Sequence, residues 1–264
     1  MTSHLSLASV PVLVGVFFHA PGERREPYSG NLKHTTKGHN RMSTTTKTSE
    51  AVHITPPNIK AGEVWIRGTA PLVVHKFSKK AIDMIRAKQE AGSTAKSKKV
   101  REAKDFTAVF NAARHISLDG WDGIPAPAFR NACIRACTLV GFKMTQAKMS
   151  LFVEADGFDN TEGTPLVKIY GGEPKQLESM VRLATGVCDI SVRPQWLDWG
   201  CRLRFRYDAD QFTASDIVNL IARAGMQVGV CEGRPSSTNS NGCGWGTFEV
   251  SDEASVMAIV KEGK

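Results

Sequence analysis

Hydrophobic and polar positions begin to alternate at residue 63. In EVWIRGTAPLVVH (63–75), Val64 and Ile66 fall on one side and Trp65 and Arg67 on the other, the period of a half-buried strand. Gly68 and Pro71 interrupt that pattern and predict a bend within it. Ser78 is placed to cap a helix over 79–89, with Ile82 and Ile85 inward and Gly92 beyond its end. Residues 112–118 read as a short strand, followed by the turn Asp119-Gly120-Trp121-Asp122-Gly123. In 124–141, Pro127 suits a first helical turn, Phe129, Cys133, Ile134 and Cys137 recur at helical spacing, and Gly141 ends the helix. Residues 149–154 and 165–170 read as strands, and 180–196 as two strand pieces about a turn at Gly186.

The last third has the clearest order. CRLRFRY (201–207) alternates strictly, with Leu203 and Phe205 pointing one way and Arg202, Arg204 and Arg206 the other. Thr213 caps a helix through Arg223 with Ile217, Leu220 and Ile221 as its apolar stripe, and Ser215 or Asp216 supports its first turn. Gly225 ends that helix, 226–230 reads as a strand, and CEGRPSSTNSNGCGWG (231–246) is a glycine- and serine-rich loop before a closing strand at 247–250. This order predicts an α+β fold: a ferredoxin-like antiparallel sheet with helices packed on one face, as one unit or two fused units.

Ahead of these elements the pattern fails. Residues 5–20 are apolar, but no Lys or Arg precedes them and no small-x-small cleavage site follows, so they do not read as a signal peptide. Residues 21–50 are polar with no hydrophobic period. The expectation is a disordered N-terminal extension over 1–55 with Met42 as the natural start, one domain over 56–255, and a C-terminal tail over 256–264. No apolar run reaches the roughly 18–20 residues of a membrane helix.

Composition sharpens this picture in two ways. Six cysteines lie at irregular spacing with no Cys-x-x-Cys, which reads as reduced thiols of a cytoplasmic protein rather than a zinc site or a disulfide framework. The chain of 264 residues carries a net charge of +8, and the 12 basic against 4 acidic residues of 60–104 equal that whole surplus. Concentrated charge of this kind fits either a solvated face or an arm that tracks a phosphate backbone.

Five places could carry chemistry. Lys96, Lys98, Lys99 and Arg101 form the basic arm. Arg202, Arg204 and Arg206 would line about 14 Å of one strand face. His75, with Lys76 beside it, ends the first strand, where an imidazole could act as a base or meet a phosphate. Arg130 sits in the helix that follows Ile124-Pro125-Ala126-Pro127, and a helix start offers backbone N–H groups to anions. In the glycine-rich loop, Arg234 adds a charge and Trp245 a stacking surface. No compact Asp/Glu/His cluster suggests a metal, and no motif suggests a cofactor.

Several of these segments carry a resemblance. APLVVHKFSKKAIDMI (70–85), GIPAPAFRNA (123–132), VGFKMTQA (140–147), GVCEGRP (229–235) and GWGTFEV (244–250) are similar to motifs shared by a group of uncharacterised phage proteins. More remotely, Pro71-Leu72 in the first strand, the helix motif Ile124 to Arg130 and the glycine-rich loop before the last strand resemble the CRISPR-associated RAMP superfamily. The resemblance implies a ferredoxin-like, RRM/RAMP-like fold and RNA binding, in oligomers that run along the strand. The resulting expectation is a non-catalytic protein of phage origin in the bacterial cytoplasm, with no membrane association. Its partner would be single-stranded RNA or DNA, held by the residues named above, with the protein a homo-oligomer along the strand. Two alternatives stand beside it. One is a metal-independent ribonuclease with His75 as base and Lys76 or Lys79 stabilising the phosphorane. The other is a phage structural or interaction module whose binding survives high salt and ignores nucleic acid.

Overall fold

The strictly alternating strand forms the centre of the molecule. The computed structural model describes residues 54–77, 83–84, 86–87, 90, 105–182, 188–238 and 242–262. In chain order the elements are β1 (Ile59–Gly68), β2 (Leu72–Val73), α1 (Phe106–Ala112), β3 (Gly123–Pro125), α2 (Ala126–Ala136), α3 (Met144–Ser150), β4 (Leu151–Val153), β5 (Gly157–Phe158), β6 (Pro165–Lys168), β7 (Tyr170–Gly171), β8 (Lys175–Arg182), β9 (Cys188–Trp196), β10 (Trp199–Asp208), α4 (Ala214–Arg223), β11 (Phe248–Ser251) and α5 (Glu253–Glu262). The fold is mixed α+β, and its sheets are antiparallel. The main sheet runs β11-β1-β10-β4, with β7 also paired to β10. The chain passes from β1 through α2 to β4, and from β10 through α4 to β11, each time skipping one strand of the sheet.

Alternation in β10 separates two chemistries. Cys201, Leu203, Phe205 and Tyr207 are buried, and register places Val64 opposite Leu203 and Ile66 opposite Cys201. Onto this apolar face pack Phe129, Cys133 and Ile134 of α2 and Ile217, Leu220 and Ile221 of α4. Phe248 of β11 links the layers, its ring lying 5.9 Å from Phe129 and 6.2 Å from Trp199. Thr213 and Asp216 form a full capping box at the start of α4, which fixes where that helix leaves the sheet. Ile54–Lys264 forms one compact unit.

The structure departs from the pattern-based reading at five points. The residues read as a tail form α5, which buries Val256 and Ile259. Val256 lies against Gly200, whose missing Cβ points to the arginine side of β10, so α5 covers the face opposite α2 and α4. Helices therefore occupy both faces at that end of the sheet. Met144–Ser150 is helical where a strand was expected from residue 149, and the strand there shortens to Leu151–Val153. Only isolated bridges at Ile116 and Ser117 stand for the strand expected over 112–118, after the helix α1. Residues 226–230 form no strand; α4 runs into a π turn over Ala224–Val228, closed by Gly229 N–H donating to Ala224 O at 2.8 Å. Gly225 meets Phe248 so closely that a Cβ would sit 2.1 Å from its carbonyl oxygen, so the chain stays coiled against β11 instead of extending beside it.

Two smaller sheets flank the main one. β3-β6-β5 follows α1, and Arg114 donates to both carboxylate oxygens of Asp122 there, at 2.8 and 2.5 Å. β2-β9-β8 carries the two strand pieces expected over 180–196, with the first beginning earlier, at Lys175. The expected helix over 79–89 is described only at 83–84 and 86–87, which are helical. The N-terminal extension up to residue 53 lies outside the described residues.

Candidate functional site

The bend predicted at Gly68 and Pro71 shapes the site. β1 ends at Gly68 and β2, which pairs with β9, starts at Leu72, so residues 69–71 belong to no strand. The glycine-rich loop meets them: Gly246 N–H donates to Pro71 O at 2.8 Å and Glu232 N–H to Val73 O at 3.0 Å. Across the loop itself, Val230 N–H donates to Gly246 O at 3.0 Å and Trp245 N–H to Gly233 O at 3.1 Å. A loop that looks mobile from its composition is thus pinned at four places. Trp245 packs against Gly233, where a Cβ would come within 2.4 Å of the indole. Cys231 holds φ at 61°, a conformation that non-glycine residues avoid, so the loop carries local strain at this point.

A cleft of about 1080 Å³ opens between this loop, α2, the end of β2 and the β8–β9 hairpin. His75, His115, Arg135, Lys148, Arg234 and Trp245 line it, and Glu232 is the carboxylate among its walls. Glu232 already accepts from Arg193 Nε at 2.7 Å and lies 3.8 Å from His75 Nδ1. Arg135 donates to Ser236 O at 3.1 Å, tying α2 to the loop, and Arg234 donates to Cys231 O at 2.8 Å. Burial and the Arg193 guanidinium push His75 below its ordinary value against the pull of Glu232.

Behind the cleft wall lies a buried polar cluster. Lys76 Nζ donates to Asp159 at 2.6 Å and to the Thr161 hydroxyl, and His115 Nδ1 lies 3.1 Å from the other Asp159 oxygen. The Asp159 side chain is fully buried, and those of Lys76 and His115 nearly so. Burial pushes the Asp159 carboxyl up, but bonds from Lys76, the Thr161 hydroxyl and the Thr161 and Glu162 N–H groups outweigh it and hold the group well below the usual carboxylate range. Burial lowers His115, opposed by its hydrogen bond to Asp159.

No protein-family model and no curated protein matches this chain.

The structure sorts the sequence-predicted residues into four groups. His75, Arg234 and Trp245 come together on the cleft. Lys76 does not face it, because its ammonium is paired inside with Asp159. Arg130 acts as a brace: it donates to Leu151 O at 2.8 Å and to Lys148 O, and its guanidinium lies over the Phe152 ring. Arg204 and Arg206 are paired with Asp156 at 3.0 Å and Glu154 at 2.9 Å, and Arg202 lies over Trp65 on the same face. That arginine row, on the strand face turned away from α2 and α4, is therefore largely neutralised from within. Lys96, Lys98, Lys99 and Arg101 lie outside the described residues. His115 and Lys148 were missed by sequence reasoning, since nothing local marks a histidine whose partner is 44 residues away. Among the described residues, no group of three His, Cys, Asp or Glu is placed to hold a metal ion, and no helix is long and apolar enough to cross a membrane.

Proposed function

We propose that this protein binds single-stranded nucleic acid in the cleft between the glycine-rich loop, α2 and the β8–β9 hairpin. The observation that carries this reading is a charge imbalance on one concave surface. Arg135, Lys148 and Arg234 stand against a single carboxylate, Glu232, which already faces Arg193. A half-buried indole, Trp245, lies in the same wall. Cations that track phosphates beside an aromatic face that stacks a base are the two parts of sequence-tolerant single-strand binding. A duplex hides its base faces, so the indole would be idle against it. A cleft of about 1080 Å³ exceeds the usual small-ligand pocket and suits a few nucleotides. The skip-one-strand connections of the main sheet support the ferredoxin-like assignment, and the phage-protein resemblance includes the loop that supplies Arg234 and Trp245.

Fluorescence anisotropy with labelled single-stranded RNA, single-stranded DNA and duplex, over a salt series, tests the reading. Both single strands should bind more tightly than duplex, with affinity falling steeply as salt rises. Arg234→Ala should reduce the salt slope by roughly 0.7, and Trp245→Ala should weaken binding by about 1–3 kcal/mol. Absence of binding at low salt, or a Trp245→Ala protein that binds as wild type does, would refute it.

A further inference from the structure

We propose that His115 selects among the bases held in this cleft: its Nε2 accepts a hydrogen bond from the exocyclic amino group of a base, so strands that offer that donor bind more tightly. The inference rests on the binding reading above and deepens it from charge and stacking to the reading of a base edge. His115 lines the cavity just after α1 and is only 8% exposed, so a ligand group must be pressed against the wall to reach it. The ring is fixed from behind. Its Nδ1 lies 3.1 Å from Asp159, and the His115 carbonyl accepts from Gly123 N–H at 2.9 Å. Asp159 in turn is held by Lys76, the Thr161 hydroxyl and the Thr161 and Glu162 N–H groups.

That pairing decides the tautomer. Those donors keep Asp159 ionised, and a carboxylate only accepts, so the proton between the two groups sits on Nδ1. Burial disfavours a second proton on the ring, which leaves Nε2 as a bare lone pair. Among the described residues nothing donates to it. The cations on the same walls, Arg135, Lys148 and Arg234, only donate, as does the Trp245 indole. They suit phosphate oxygens, and phosphate oxygens cannot satisfy Nε2. An exocyclic amine can, because it projects beyond the ring edge towards a recessed acceptor. Thymine fails there, since its N3–H is flanked by two carbonyl oxygens that would be pressed against the lone pair. His75 is no such fixed acceptor: Glu232 stands 3.8 Å from its Nδ1, beyond hydrogen-bond range, and does not set its tautomer.

Fluorescence anisotropy at constant low salt and a pH well above 6.5 compares three labelled strands: oligodeoxyadenylate, the same strand with purine in place of every adenine, and oligoriboadenylate. Purine keeps the ring and its stacking and lacks only the amine, and a uniform strand makes register immaterial. Wild type should bind the adenine strand about three- to tenfold more tightly than the purine strand, as one hydrogen bond allows. His115→Asn, whose amide reaches the place of Nδ1 but not that of Nε2, should keep a bond to Asp159 and bring the ratio near one. His115→Gln, whose amide reaches the place of Nε2, should restore part of the preference. Circular dichroism checks that both variants fold, and the wild-type comparison stands without them. The ratio should shrink as pH falls below 6.5 through the folded value of His115, because Nε2 then gains a proton and turns from acceptor to donor. Asp159, Lys76, Glu162 and, across the cleft, His75 are the charged and titratable groups that face the ring. A proton gained by His75 strengthens both strands alike and cancels in the ratio. Equal binding of the two deoxy strands by wild type, or a preference that survives in folded His115→Asn, overturns the proposal and leaves the binding reading standing. A preference for the ribose strand that vanishes in His115→Asn, with adenine and purine bound alike, gives the acceptor to the 2′-hydroxyl and overturns the base assignment. No binding of any strand overturns both.

Discussion

The buried pair of Lys76 and Asp159 offers a demanding test of how the cleft wall is held. Removing one member of a buried ion pair typically costs about 3–5 kcal/mol, because the remaining charge keeps its desolvation penalty without its partner. The two single variants should not cost the same. In Lys76→Met the stem survives and Asp159 still accepts from the Thr161 hydroxyl at 2.7 Å and from the Thr161 and Glu162 N–H groups at 2.9 and 3.1 Å. In Asp159→Ala the ammonium keeps only the Thr161 hydroxyl among its described partners, and two backbone donors lose their acceptor. Lys76→Met should therefore fall near the lower end, about 3 kcal/mol, and Asp159→Ala near the upper end, about 5 kcal/mol. For a unit of this size each kcal/mol shifts the midpoint by roughly 2–4 °C, so the expected losses are about 6–12 °C and 10–20 °C. Thermal and urea unfolding at pH 7, followed by circular dichroism, would measure both. If both variants lost less than about 1 kcal/mol, the pair would be behaving as a hydrated surface bridge. If Lys76→Met were the more damaging, the weight given to the backbone bonds of Asp159 would be wrong.

Two further outcomes follow from the same geometry. His75 and His115 are both lowered from 6.5, so their contribution is complete above that value and is lost as pH falls below it through their folded values, while that of Asp159 is lost only as pH falls below 3.8 through its own folded value. Melting temperature should thus decline in two acid stages, and His75→Gln with His115→Gln should flatten the first; a protein that grows more stable between pH 7 and pH 5 would contradict this. Arg130→Ala removes bonds to Leu151 O and Lys148 O together with the contact on Phe152, and should cost about 1–3 kcal/mol in urea unfolding while leaving nucleic-acid affinity unchanged. A fall in affinity with unchanged stability would return Arg130 to the binding surface.

What the sequence makes legible is what period and capping encode. The alternation of 201–207, the stripe and cap of 213–223 and the break at Gly68 and Pro71 are all present as read. α5 escapes because its burial rests on Val256 meeting a glycine, Gly200, in another element, which no pattern within 253–262 announces. The π turn escapes because Met226 and Val228 alternate like a strand, and only the close approach of Gly225 to Phe248 decides otherwise. The same limit governs the site. His75, Arg234 and Trp245 can be picked out by residue type, because a pinned glycine-rich loop brings unusual side chains to a surface. Charge pairing is not local: Asp156 and Glu154 neutralise Arg204 and Arg206 from about fifty residues away, and Asp159 takes Lys76 inward. A row of arginines looks like a binding face until its carboxylates are placed.

The interruption in the first strand explains why the cleft exists where it does. A strand continued through 69–71 would spend the backbone groups of those residues on sheet pairing and leave fewer for the loop. Because β1 stops at Gly68, Thr69 N–H reaches Thr247 O at 2.9 Å, and the Pro71 and Val73 carbonyls accept from Gly246 and Glu232. Those three bonds draw both ends of the glycine-rich loop to the segment that ends in His75. The loop's polar composition, which alone would favour solvent, is thereby satisfied by backbone partners, and its few large side chains are held facing α2. Trp245 sits one residue before Gly246 and Arg234 two after Glu232, so anchoring those two amides brings the indole and the guanidinium to the same cleft. The same bend that weakens the strand as a strand therefore supplies the acceptors that position the candidate site.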